Sequence, residues 1–423
     1  MKSQAALKKQ FLLEAEKIFL TNRVEGYSKR IRTHYRFIAP SKKEYRFQFL
    51  WDTAFHAIVL SHIDLEWAKE EIKNILKAQW QDGFMPHIIF WSGRFLPHWA
   101  IIESKISFLP PFTSAITQPP LLAVAVEQIY KKGPDVKFLE ETVYKLIDYH
   151  NWLLKYRDPN QDGLISIISP NESGLDELPT FQYALGYYKN NPVKLHYVFR
   201  KPDILNQRYN FQSRRILKKD YFNVEDLAFN TIFIEACRSL SRLCRALSDK
   251  KNEKYFADVS NKALQSMIKK CWDEKDGIFY TVFSKYQKKA RVKTIESLLP
   301  LFLDGLAQKY VKRLVQEHLL NPQEFWTEYP VPSVAKSELY YYPKQPPVHH
   351  LKFLWRGPTW INTNWLIVKG LRKHGYRDIA DEIVRRTVKM IQKSGFREYY
   401  NPESGEGYSH HNFGWSTLIC DLL

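Results

Sequence analysis

The chain has 423 residues, 44% of them hydrophobic, which is enough apolar material for a sizeable core. Its formal net charge of +18 comes from basic residues spread over the whole chain, and the densest runs, 214–219 and 285–293, carry no nucleic-acid module signature. No apolar run reaches the roughly 18 residues of a membrane span, and the charged N-terminus lacks a signal peptide's apolar stretch, so a cytoplasmic protein without nucleic-acid or membrane partners is expected.

Helical periodicity dominates from one end to the other. After Asp64, a suitable N-cap, Leu65, Ala68, Ile72, Ile75 and Leu76 fall on one face. Two prolines then precede the stripe Leu121, Leu122, Ala125, Val126 and Ile129, and proline is tolerated in a first helical turn. Further stripes run through Val143, Leu146, Ile147 and His150, through Phe229, Ile232, Phe233, Ala236, Leu240 and Leu243, and through Phe256, Val259, Ala263, Met267 and Cys271. The last long one holds Ile379, Ile383, Val384, Val388 and Ile391. About a dozen such segments, with short Gly/Pro/Asp/Asn loops and no linker or exact repeat, predict one closed helical architecture over residues 1–423 rather than several domains. Cys237 and Cys244 lie seven apart on one helical face and read as core thiols.

The chemistry-bearing residues lie between the helices, at 45–56, 80–91, 113–120, 169–180, 327–343, 354–364 and 396–416. In a helical barrel alternate loops share one end, where a rigid scaffold can gather them into one site. The stretch SPNESGLDELP, 169–179, is a turn by its glycine and prolines, and holds Glu172, Asp176 and Glu177. Trp355, Arg356, Gly357, Trp360, Asn362, Asn364 and Trp365 crowd into eleven residues, with planar hydrogen-bonding groups among aromatic faces as a sugar site needs. Near the C-terminus Glu398, Glu403 and Glu406 lie among Tyr399, Tyr400, Tyr408, Phe413 and Trp415. Paired carboxylates between aromatic walls are the ingredients of glycoside hydrolysis, one protonating the leaving oxygen and the other activating water or attacking the anomeric carbon. Serine-elbow, zinc-protease, P-loop and dinucleotide motifs are absent from the sequence. Asp158, Asn160, Asp162 and Gly163 match the start of a calcium loop, but its twelfth position is Ser169 rather than Glu, so an Asx turn is expected, with no metal and no cofactor.

In order along the chain, FLWDTAFHAI, QWQDGFMPH, ITQPPLLA, NESGLDELP, EYPVPSVA, LWRGPTWINTNWLI and REYYNPESGEG…FGWS together resemble glycoside hydrolase family 63, within it the mannosylglycerate hydrolase-like group. The resemblance covers about residue 45 to the C-terminus. It implies an all-α (α/α)6 toroid and an inverting hydrolase of an α-linked glucoside or mannoside, with glucosylglycerate or mannosylglycerate as candidate substrates. The Asp of the ESG-x-D loop is the general acid in that family, here Asp176; the Glu before the paired aromatics is the general base, here Glu398. Trp51, Asp52, Gln118, Arg356, Gly357 and Trp360 are carried over as sugar-site residues. Gly174, Trp355, Tyr399 and Trp415 join them, as does Glu172, which braces the loop. Glu406 is the alternative base. The alternative activities are a toroid-fold phosphorylase or lyase, and a non-catalytic sugar- or nucleic-acid-binding protein.

The chain departs from the family pattern at Asn171, where relatives often have tryptophan, and at Glu177, an extra charge beside the acid. Residues 187–222 are basic, aromatic and weakly periodic, and are expected to form a lid. Arg200, Arg208, Arg214 and Arg215 within it are candidates to hold an acidic leaving group.

Overall fold

The computed structural model describes residues 4–92, 96–108, 112–344 and 354–423. Its centre is a ring of six helical elements. The helices Leu50–Leu60, Leu122–Lys132 and Leu227–Ala246, the 3-10 turn Leu299–Phe302, the helix Ile361–Lys373 and the 3-10 turn Gly414–Leu418 each pack on the next. The last packs back on the first and closes the ring. An outer layer, which includes Gln4–Asn22, Leu65–Leu76, Val136–Arg157, Lys250–Cys271 and Arg377–Ser394, covers it. This is the all-α toroid the sequence predicts.

The two layers differ as their sequences require. Every residue of Leu50–Leu60 is buried, because an inner helix has neighbours on all sides. The outer Leu65–Leu76 is amphipathic, and Asp64 caps it by accepting hydrogen bonds from the Glu66 and Trp67 amides. Asp421 ties the end of the chain to the ring. It accepts from Trp365 Nε1 at 2.8 Å, pairs with Lys369 Nζ at 2.8 Å, and lies 2.7 Å from His62 Nε2. Cys237 and Cys244 are buried free thiols, as their positions on the apolar face of Leu227–Ala246 suggest.

Strands are short and serve the loops. The longest pairing joins Arg23–Ser28 to Thr33–Ile38, and a second hairpin joins Arg397–Tyr400 to Gly407–His411. Aspartate side chains close the 158–163 loop: Asp158 accepts from the amides of Asp162 and Gly163, and Asp162 forms an Asx turn by accepting from the Leu164 amide and pairs with Lys270. The 187–222 stretch is mostly helical, with helices Pro192–Arg208 and Ser213–Lys219 lying outside the ring. Among the described residues no helix is long and apolar enough to cross a membrane.

Candidate active site

A cavity of about 750 Å³ opens where the inner-ring loops meet. Its aromatic lining includes Trp51, Trp355, Trp360 and Trp415, and its carboxyl groups include Asp52, Asp176, Glu177 and Glu398. Six of the seven loop stretches singled out in the sequence reach it; the 327–343 stretch lies behind, where Ser333 Oγ accepts a hydrogen bond from the Gly357 amide at 2.8 Å.

The aromatic wall is a stack. Trp355 and Trp360 lie face to face with ring centroids 3.8 Å apart, and Tyr399 continues the stack 4.7 Å beyond Trp360. Trp415 meets Trp360 at 66° and is fixed by donating from Nε1 to the Glu398 carbonyl at 3.2 Å. Trp51 meets Trp415 edge-on, with centroids 5.8 Å apart, and its ring rests on Gly174, whose φ is +73°. A Cβ at that position would come within 2.5 Å of the ring, so only glycine satisfies both the left-handed turn and the close approach.

The loop that carries Asp176 is held from behind. Its first half is a 3-10 turn, Pro170–Ser173, started by the Ser169 hydroxyl accepting from the Asn171 amide. Glu172 points away from the cavity into the protein. Arg157 donates to both its oxygens, at 2.6 and 2.7 Å, and the amides of Thr117 and Ile168 donate to them as well. Gln118, next in the chain after Thr117, accepts from the Trp51 amide at 3.3 Å. One buried ion pair thus sets the relative positions of the Trp51, Gln118 and Asp176 loops.

Four of the sequence-derived binding residues therefore do not border the cavity. Glu172 is consumed by Arg157. Arg356, which is 1% exposed, donates to Gln182 and Asn190 behind the wall. Gly357 is a backbone joint: at φ +147° it lies where a Cβ would press on the Tyr342 backbone. Tyr399 is the rear ring of the tryptophan stack. Asp176, Glu398, Trp51, Asp52, Gln118, Gly174, Trp355, Trp360 and Trp415 do line it. Glu406 is exposed and lies outside it.

The sequence reading missed lining residues. Tyr45, His87, Glu103, His196, Asp203 and His410 all reach the cavity. His87 ends the QWQDGFMPH motif and His410 lies in the C-terminal one, so proximity to a motif could have flagged both. Glu103 and Asp203 carry no local signal; the fold brings them together, and the Asn171 side-chain amide donates to both, at 2.8 and 3.4 Å. Of the four lid arginines, Arg200 faces the cavity, while Arg208, Arg214 and Arg215 lie outside its lining.

Burial raises two of the carboxyls. Burial, aided by the charges of Glu177 and Glu103, pushes the Asp176 carboxyl up to about 7. His87 opposes the shift, but burial pushes its own ring down to about 4, so it is neutral when Asp176 titrates. Burial also holds Asp52 well above the usual carboxylate range, with Glu398 and Asp176 adding to the effect. Asp52 Oδ1 is buried without a hydrogen-bond partner among the described residues, on the wall of the cavity.

Residues 45–416 match the family described as the Mannosylglycerate hydrolase MGH1-like glycoside hydrolase domain. The chain belongs to this family of glycoside hydrolases. It is 30% identical to mannosylglycerate hydrolase of Thermus thermophilus over 420 residues, covering 91% of this chain and 95% of that one. It is 26% identical to glucosylglycerate hydrolase of Mycolicibacterium hassiacum, over 90% and 92% of the two chains. The crystal structure of a family 63 mannosylglycerate hydrolase from Thermus thermophilus with Tris and D-glycerate aligns with a TM-score of 0.82, at 27% identity, over 97% of this chain and 99% of that one. The glycosidase class read from carboxylates and aromatic walls is thus the class of the family, and the phosphorylase, lyase and non-catalytic alternatives fall away.

Proposed function

We infer that this family 63 enzyme hydrolyses an α-glucosyl or α-mannosyl glycerate with inversion at the anomeric carbon. The observation that carries the reading is the presence of Asp176 and Glu398 on the walls of one aromatic cavity, in the two loops where the family resemblance seats its acid and base. Asp176, protonated, gives its proton to the glycosidic oxygen as the bond from that oxygen to the anomeric carbon breaks. Glu398 takes a proton from a water whose oxygen forms the new bond on the opposite face. Asp176 ends as carboxylate and Glu398 as acid, and exchange with solvent resets both. Trp355, the end ring of the stack, presents its ring to the sugar with Trp51 and Trp360 beside it, and Asp52 forms a hydrogen bond with a sugar hydroxyl. The 187–222 segment covers the leaving-group end, where Arg200 meets the glycerate carboxylate. The enzyme works in the cytoplasm, on a small carbohydrate substrate.

The test is to supply α-glucosylglycerate and α-mannosylglycerate and follow the released sugar by NMR. The β-anomer should appear first from one or both; release of the α-anomer first, or no hydrolysis of either, would refute the reading. Arg200→Gln should lower kcat/KM for the glycerate substrate about 10-fold or more, since a charged hydrogen bond is lost. The matching glycosyl glycerol, which lacks the carboxylate, should be unaffected. Equal losses on both would remove the arginine from carboxylate recognition.

The pH dependence follows from Asp176. A general acid works only while protonated, and a carboxyl raised to about 7 is protonated below that pH. The alkaline limb of kcat/KM should therefore fall near pH 7 rather than near 4. Glu177→Gln removes one of the charges that raise Asp176, so the limb should move to lower pH. A limb unchanged in this variant would mean that another group sets it.

A further inference from the structure

The hairpin that carries Glu398 is irregular opposite that residue, where its second strand, Gly407–His411, holds one residue too many. Arg397 pairs with His411 and Tyr399 with Tyr408, so Glu398 alone stands opposite two residues, Ser409 and His410. This is a β-bulge, a device that turns side chains of the bulged strand out of the regular alternation. Ser409 accommodates it with φ +59°, a conformation that residues other than glycine, asparagine and aspartate seldom adopt. As a result both residues address the same atom. The Ser409 hydroxyl donates to Glu398 Oε2, and His410 Nε2 lies 4.0 Å from it.

We propose that Ser409 is a positioning residue for the general base, and that the bulge exists to deliver its hydroxyl to the Glu398 carboxylate. The proposal rests on Glu398 being the base. The hydroxyl fixes the rotation of a carboxyl group that must meet water at one face of the sugar, and it favours the charged form that can take a proton. Other groups face the same carboxyl. The Tyr45 hydroxyl is hydrogen-bonded to it, Asp52 and Tyr399 feel its charge, and His410 stands beside Ser409. Asp176, which also acts on Tyr45, lies on the same cavity. Of these groups, Ser409 is the uncharged, non-titrating donor, so its removal changes the base without adding or removing a charge.

The experiment compares Ser409→Ala and Ser409→Gly on an α-glycoside that the wild type hydrolyses. Both variants lack the hydroxyl, but glycine relaxes the left-handed backbone and alanine does not. Each should lower kcat about tenfold with little change in KM, and should move the acidic limb of kcat/KM upward by about one pH unit, because the carboxylate loses a donor. If Ser409→Gly keeps the wild-type rate and profile while Ser409→Ala does not, backbone strain and not the hydroxyl matters, and the proposal is overturned. An acidic limb that stays in place in both variants overturns it as well. The base itself is tested apart from this. Glu398→Ala should be inactive and should regain turnover with azide, giving the β-glycosyl azide, since a small anion needs no general base. If Glu398→Ala keeps its hydrolytic activity, the base assignment fails and the role of Ser409 with it. If it behaves as expected and the serine variants are normal, only the serine is at fault.

Discussion

Asp176→Asn and Glu398→Gln are each expected to lower kcat on an α-glycoside with an alkyl leaving group by about 10²–10⁴-fold, the usual contribution of a general acid or base. Both substitutions keep the size of the side chain, and neither residue lies in a helix of the ring, Asp176 being in a braced loop and Glu398 on a hairpin strand, so the far-ultraviolet circular dichroism should stay that of the wild type. The two variants should part on a glycosyl fluoride. Fluoride departs with little protonation, so Asp176→Asn should recover much of its rate, whereas Glu398→Gln, still lacking a base for water, should not. Glu406→Gln should be close to wild type, since Glu406 is exposed and away from the cavity. An inactive Glu406→Gln together with an active Glu398→Gln would reverse the base assignment.

What the sequence makes legible is what is local. Helical stripes report burial on one side of a helix, and the outer layer was readable for that reason, as in Leu65–Leu76 with its Asp64 cap. The ring itself is harder to read. Two of its six elements are short 3-10 turns, Leu299–Phe302 and Gly414–Leu418, too brief to show a period. The same limit governs the site. Residues within a dense motif, such as Asp52, Trp360 and Glu398, were found because the motif drew attention to them. Glu103 and Asp203 were not, because each is an ordinary carboxylate in its own segment and becomes part of the site only when Asn171 brings the two together. Sequence density also misleads in the opposite direction. Arg356 and Gly357 lie in the most suggestive stretch of the chain, yet one braces the wall and the other shapes its backbone. A motif marks a neighbourhood under constraint, and the constraint can be that of holding the site as well as that of touching the substrate.

The largest effect on stability should come from Arg157 and Glu172, whose side chains are 1% and 0% exposed. Removing one member leaves the other as a buried, unpaired charge, which typically costs about 3–5 kcal/mol. Arg157→Leu should be the more harmful single change, because it strands the carboxylate and also withdraws the donor to Ser213 Oγ. Glu172→Gln keeps an acceptor but loses the charge, and cannot satisfy two amides and two guanidinium nitrogens together. The double variant Arg157→Leu/Glu172→Leu should recover only part of the loss. A buried ion pair can often be replaced by apolar side chains at little cost, but here the carboxylate also accepts from the Thr117 and Ile168 amides, which would then be left without it. Urea denaturation of the wild type, Arg157→Leu, Glu172→Leu and the double variant closes the cycle and should give a coupling energy between the two sites well above about 1 kcal/mol. Activity should fall alongside stability, since the same pair sets Gln118, Trp51 and the Asp176 loop in register. Single variants that lose less than about 1 kcal/mol would show that the pair is dispensable, and that the Asp176 loop takes its rigidity from Gly174 and its packing on Trp51 instead.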